Sequence, residues 1–223
     1  MAVKVEVWGP YACFTRPEAK VERVSYDVMT PSAARGILDA ILWHPGMVWK
    51  IDKIHVCAPI RFTNIRRNEV SDKVSAVKAK SAMQMGNPDD LSLYVQGKVV
   101  QQRASMILRD VHYVIEAHFE MTDKAAPADN PGKYQEMMRR RLEKGQFYHQ
   151  PYFGTREFPV SFAPCEKIPE CPEELKGTID LSWMLYDMDF SDPADIKPVF
   201  FRASMQDGVI TVPNFEEGKG FVR

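Results

Sequence analysis

Period-two alternation marks the strands of this chain, capped amphipathic patterns mark two helices, and together they predict an α+β fold. From the N-terminus the order is strand, helix, strand, insertion, strand, helix, strand. That order resembles a ferredoxin-like (RRM-like) βαββαβ domain carrying a hairpin insertion, and a small C-terminal antiparallel β-sheet domain follows it. The boundaries are drawn at 1–156 for the first region, with the insertion at about 61–108, and at 157–223 for the second. A length of 223 residues with 45% hydrophobic content suffices for a packed core.

Each element has its own signal. Val3, Val5 and Val7 share one face of a first strand over Ala2 to Val7, and the segment Trp8 to Met29, with Pro10 and Pro17, reads as a long loop. Thr30 followed by Pro31 is an N-cap and first-turn pair, and Ala34, Ile37, Leu38 and Ile41 recur at helical spacing until Pro45 forbids continuation. Trp49, Ile51, Ile54 and Val56 mark a strand whose register slips near Lys53. From Arg61 to Gln102 periodicity is weak, which suggests an extended hairpin or mobile insertion. Over Arg109 to Met121, Val111, Tyr113, Ile115, Ala117 and Phe119 share one face, and His112, Val114, Glu116, His118 and Glu120 share the other. A second helix reaches Lys144 with Tyr134, Met137, Met138 and Leu142 as its apolar stripe and Gly145 as its stop. Strands at Thr178 to Tyr186, Val199 to Met205 and Val209 to Val212 complete the chain, with Asp207-Gly208 as a two-residue hairpin turn.

The formal net charge is −1, which excludes a uniformly basic coat. Along the chain it divides sharply: residues 1–156 carry 23 basic and 17 acidic residues, net +6, and residues 157–223 carry 6 and 13, net −7. The first portion suits phosphates and the second suits a protein neighbour or solvent. No apolar run reaches the roughly 20 residues that span a bilayer, and the N-terminus alternates rather than forming a signal-peptide core, so a cytoplasmic protein without membrane attachment is expected. Cys13, Cys57, Cys165 and Cys171 form no C-x-x-C pair and read as small core hydrophobes. Phosphate-loop and dinucleotide motifs are absent, as is a carboxylate signature for a divalent metal, so no cofactor or metal is expected.

The face bearing His112, Glu116 and His118 is the strongest chemical feature, because alternate residues on one strand face lie about 7 Å apart and can share a phosphate substrate. Imidazole transfers protons near neutral pH, and RNA brings its own 2′-hydroxyl nucleophile. The same histidines also suit a solvated sheet face. Basic clusters occur at Arg66 and Arg67, at Lys78 and Lys80, and at Arg139, Arg140 and Arg141. Consecutive helical arginines fan over roughly 200°, so at least one must leave the reach of Glu136 and Glu143. Trp43, Trp49, Tyr94, Phe147, Tyr148, Tyr152 and Phe153 are interleaved candidates for base stacking. Each cluster also has a plain reading, as a charged face beside core aromatics.

The segments EVWGPYACFTRPEAKVERVSYDVMTPSAARGILDAILWHP, DVHYVIEAHF, PYFGTREFPVSF and FFRASMQDGVITVP, in this order, resemble CRISPR-associated protein family five, subtype I-C, of the repeat-associated mysterious protein superfamily. The resemblance covers nearly the whole chain. It implies a ferredoxin-like N-terminal domain, a C-terminal sheet, and an endoribonuclease that cuts precursor CRISPR RNA at the base of each repeat hairpin, a cut that the 2′-hydroxyl nucleophile allows without metal. It also implies that the protein stays on the 5′ handle of the mature CRISPR RNA beside the backbone and large subunits of the type I-C interference complex. The family's cutting site has a Tyr at the end of the first helix and a Lys and a His on the later strand. The His matches His118; the Lys position holds Glu116 and the Tyr position Leu42.

His44, at the same helix end, is the substitute proton-transfer group, and Glu116 a carboxylate placed to orient His118. Lys20, Arg23 or an insertion side chain would supply the stabilising cation. The RNA-binding set is Lys20, Arg23, Arg35, Arg66, Arg67, Lys78, Lys80, Arg139, Arg140 and Arg141. A non-catalytic 5′-handle-binding scaffold is the alternative, and a metal-dependent DNA nuclease a third reading.

Overall fold

The structure is a computed structural model that describes residues 3–19, 21–71, 73, 75–87, 91 and 99–214. Its elements run β1 (Val3–Ala12), α1 (Pro31–Ile41), β2 (Met47–Val56), β3 (Phe62–Val70), α2 (Ala76–Met85), β4 (Val100–Met121), α3 (Pro131–Lys144), β5 (Ser161–Pro164), β6 (Thr178–Asp189), β7 (Lys197–Gln206) and β8 (Val209–Thr211). Among the described residues they form an α+β fold on one eight-stranded sheet of order β5-β1-β4-β2-β8-β7-β6, with β3 added beside β4. The registered pairs β1–β4, β1–β5, β2–β4, β2–β8, β6–β7 and β7–β8 are all antiparallel.

The chain divides into two compact units, one of Met1–Thr63 with Met106–Arg223 and one of Asn64–Ser105. In the larger unit β5–β8 share a sheet with β1, β2 and β4. In the smaller, Arg67 donates to the Ser105 hydroxyl at 3.1 Å and Arg103 pairs with Glu69 at 3.2 Å, which ties β3 to β4. No helix of the described residues is long and apolar enough to cross a membrane.

Alternation fixes which face of the sheet is covered. Val5, Val7, Tyr113, Ile115 and Ala117 lie on the inner face and are buried, Tyr113 against Phe14 and Phe153. α1 brings Ile37, Leu38 and Ile41 to this core, each contributing about 1.5–3 kcal/mol by burial. The Thr30 hydroxyl caps its start by accepting from the Ala33 amide at 3.2 Å. In α3 the Asn130 side chain does the same for Lys133 at 2.9 Å, and Gly145, at φ 61°, closes the helix in the left-handed conformation. Tyr134, Met138 and Leu142 are its buried stripe.

Two expectations need correction. β1 continues through Pro10 to Ala12, where a loop was expected. β5 pairs β1 only over Val5–Trp8, so the amide that Pro10 lacks is not required there. The weakly periodic insertion contains a helix, α2, whose buried residue is Ala82 alone. Such a helix leaves no apolar stripe to read in the sequence.

Candidate active site

β4 supplies the outer face of the sheet with His112, Glu116 and His118, and β1 and β2 run antiparallel on its two sides. Each histidine of this face is joined to a carboxylate. His112 Nε2 lies 2.7 Å from Glu6 Oε1, His55 Nε2 lies 2.8 Å from Glu116 Oε1, and His118 Nδ1 lies 2.8 Å from Asp52 Oδ1. Burial would raise the Glu116 carboxyl, but hydrogen bonds from His55 and Lys4 outweigh it and hold the group below its ordinary range. Glu116 is therefore part of a Lys4–Glu116–His55 ladder, and the carboxylate that orients His118 is Asp52.

Asp52 reaches His118 because of a bulge. β2 pairs Ile51 with Ala117 and Lys53 with Glu116, so Asp52 is the extra residue between two consecutive partners. The Val212 amide donates to the Asp52 carbonyl at 3.0 Å and fixes the bulge from the other side. An ionised carboxylate only accepts, so Nδ1 of the neutral imidazole carries the hydrogen and Nε2 keeps its lone pair. The His118 side chain is 39% exposed and Asp52 37%, which leaves Nε2 accessible to a substrate hydroxyl. Lys50 lies directly across β2 from His118. Its ammonium is 3.6 Å from Glu120 Oε2, and His118 Nε2 is 4.0 Å from Glu120 Oε1.

His44 is held differently. Its Nδ1 accepts from the Gly46 amide at 3.1 Å and lies 2.6 Å from the Tyr134 hydroxyl, so Nε2 bears the hydrogen in the neutral ring. Burial and a hydrogen bond to Asp129 push the Tyr134 phenol up to about 12, so it keeps its proton. Hydrogen bonds from Lys133, Tyr134 and the Ala126 amide hold Asp129 well below the usual carboxylate range. Tyr134 also packs on Phe119, which points to the helix side of β4, away from His118. The two histidines thus have separate partner networks. Leu42 is fully buried, and its carbonyl accepts the Trp49 indole hydrogen at 2.9 Å.

The basic residues divide by what they already hold. Arg35 lies 2.5 Å from Asp187 through Nε and 2.7 Å from Asp39 through Nη1, so it ties α1 to β6 instead of pointing to a ligand. Arg139 bridges Glu136 at 2.6 Å and Glu143 at 2.5 Å, and Arg141 donates to the Ile41 carbonyl at the end of α1. Arg140 between them is exposed and makes no hydrogen bond or ion pair among the described residues. Arg23 faces Glu157 at 3.8 Å. In the smaller unit Arg66, Lys78 and Lys80 are exposed, and Arg67 is held by Ser105 and Glu69. Lys20 and Tyr94 lie outside the described residues.

Of the aromatic candidates, Trp43, Phe147 and Tyr148 are exposed, and Trp49 and Phe153 are core. Burial and nearby negative groups push the Cys57 thiol up to about 12, which leaves it protonated and inert at neutral pH. Among the described residues no three His, Cys, Asp or Glu side chains are grouped to hold a metal ion.

Residues 2–213 match the family described as CRISPR-associated protein (Cas_Cas5). The chain belongs to the Cas5d family. It is 50% identical over 217 residues to the protein named CRISPR pre-crRNA endoribonuclease Cas5d of Mannheimia succiniciproducens, covering 96% of this chain and 95% of that relative. A second protein of that name, from Thermus thermophilus, is 39% identical over 229 residues, covering 95% and 91%. Among solved structures, one titled "Crystal Structure of CRISPR-associated Protein" matches with a TM-score of 0.68 at 23% identity, covering 97% of this chain and 94% of that one. A chain of a "CRISPR RNA-guided surveillance complex" matches at 0.52 with 12% identity, covering 96% and 92%. Both are likenesses of fold alone.

Asp52 and Lys50 escape a sequence reading for one reason. Both reach His118 only through the register between β2 and β4, which their positions in the chain do not reveal. The slip of register near Lys53 was the available signal for Asp52.

Proposed function

We propose that this chain is an endoribonuclease that cleaves the repeats of precursor CRISPR RNA through attack of the 2′-hydroxyl on the adjacent phosphate. The observation that carries the mechanism is the Asp52–His118 pair, which leaves a basic Nε2 on an open sheet face. The names of two relatives, 50% and 39% identical over nearly the whole chain, support the substrate.

In the reaction His118 Nε2 takes the 2′-hydroxyl proton and the 2′-oxygen bonds to phosphorus. The bond to the 5′-oxygen breaks, and that oxygen leaves with a proton supplied by an acid. The products are a 2′,3′-cyclic phosphate and a 5′-hydroxyl. His44 is the candidate acid in its imidazolium form, which would give up the Nε2 proton; its partners Gly46 and Tyr134 put it in a network separate from that of His118, which the bound RNA would have to span. The chemistry calls on no metal.

In the same reading the order β5-β1-β4-β2 is a ferredoxin-like core. After cleavage the protein stays on the 5′ handle in a type I-C complex with backbone and large subunits. Exposed Arg66, Lys78, Lys80 and Arg140 contact phosphates there, with Lys20 and Arg23 nearby in sequence to α1 as further contacts. A second reading, a handle-binding scaffold without activity, is favoured by one observation: the positions of the family's Tyr and Lys hold a buried Leu42 and an ion-paired Glu116.

Purified protein and a repeat hairpin in EDTA separate the two. The enzyme reading expects cleavage by the parent and none by His118→Ala at equal repeat affinity. Tight binding with no product from the parent establishes the scaffold, and cleavage abolished by EDTA overturns the metal-free mechanism.

A further inference from the structure

The family's Lys position holds the anionic Glu116, so the charge that develops on the phosphorane needs a cation from elsewhere. Two observations converge on one side chain. Lys50 is the residue directly opposite His118 in the β2–β4 register, on the same outer face. The Glu120 carboxylate stands between the two, one oxygen 3.6 Å from the Lys50 ammonium and the other 4.0 Å from His118 Nε2.

A carboxylate and a phosphodiester share the feature that matters here: a negative oxygen that can pair with the Lys50 ammonium. Glu120 is 58% exposed and an exposed ion pair is held weakly, so an incoming phosphate can displace it. Other lysines on this face are placed less well. Lys4 is bound to Glu116 at 3.3 Å, and Lys53, across from Glu116, has no hydrogen bond or ion pair to His118, Asp52 or Glu120 among the described residues.

We propose that Lys50 is the cation on the scissile phosphate, and that Glu120 holds the place of that phosphate in the free protein. This deepens the endoribonuclease reading and rests on it. Lys50 donates to a non-bridging oxygen as His118 Nε2 takes the 2′-proton. Glu120 swings into solvent when RNA enters.

The test measures single-turnover cleavage of a repeat hairpin, together with the Kd of the same hairpin made uncleavable by a 2′-deoxy nucleotide at the cut. Lys50→Ala is expected to slow cleavage about 100- to 1,000-fold with a much smaller change in Kd, and Lys50→Arg to recover part of the rate. Glu120→Gln is expected to tighten Kd about threefold, since it removes the competing anion. A merely structural pair predicts instead that Lys50→Ala and Glu120→Gln lose rate and melting temperature together, and that result overturns the proposal. If the parent and Lys50→Ala cut equally fast while His118→Ala is dead, only the Lys50 assignment fails. A parent that does not cut at all overturns both readings.

Discussion

Glu116 shows how much one side chain's role depends on its neighbours. Two positions before His118 on one strand face, it was placed to act on that histidine, yet its carboxylate is drawn to His55 on β2 and Lys4 on β1. It is 16% exposed, and its pKa in the fold lies below the ordinary value of 4.5. A carboxylate depressed by folding stabilises the native state above its unfolded pKa and loses that contribution as pH falls through the folded value. Melting temperature should therefore fall as pH drops below about 4.5, and Glu116→Gln should show a shallower acid limb than the parent. Equal acid limbs for the two proteins would mean that the ladder adds nothing to stability. The pairing itself was not legible, because Lys4, His55 and Glu116 lie far apart in sequence and meet only through the register of three strands.

At the scale of elements, β4 is the part of the fold most open to sequence reading. Its apolar and polar residues alternate from Val111 to Met121 except at Val114, an apolar residue on the polar face, and the burial in the structure follows the same pattern, with Val114 buried. The bulge in β2 was visible as a broken period near Lys53, but its purpose appears only when β4 is laid beside it. The extra residue turns a carboxylate toward a histidine. Asp52→Asn tests that purpose. The amide offers both a donor and an acceptor, so it no longer imposes hydrogen on Nδ1, and the tautomer with a basic Nε2 loses its preference. Cleavage should slow at least about tenfold with repeat affinity retained. Loss of affinity with an unchanged rate would instead mark Asp52 as a residue of the RNA surface.

The whole molecule resolves the near-zero charge. The arginines of α3 illustrate the division: Arg139 and Arg141 stabilise the fold, and Arg140 is left facing out. The acidic C-terminal portion does similar work, since Asp187 holds Arg35 and Asp180 pairs with Arg202 at 2.6 Å. Part of the charge excess at each end is thus consumed inside the larger unit, and the sum over residues misjudges what a ligand meets. What the outer sheet face offers is the His118 imidazole, oriented by Asp52, with Lys50 opposite. In the proposed reaction the RNA is cut by its own 2′-hydroxyl on this face. Replacing that one hydroxyl by hydrogen, at the nucleotide upstream of the cut, removes the nucleophile and leaves the protein untouched. The 2′-deoxy hairpin is expected to bind with unchanged affinity and to stay uncleaved; its cleavage at the parent rate would exclude the 2′-hydroxyl as nucleophile.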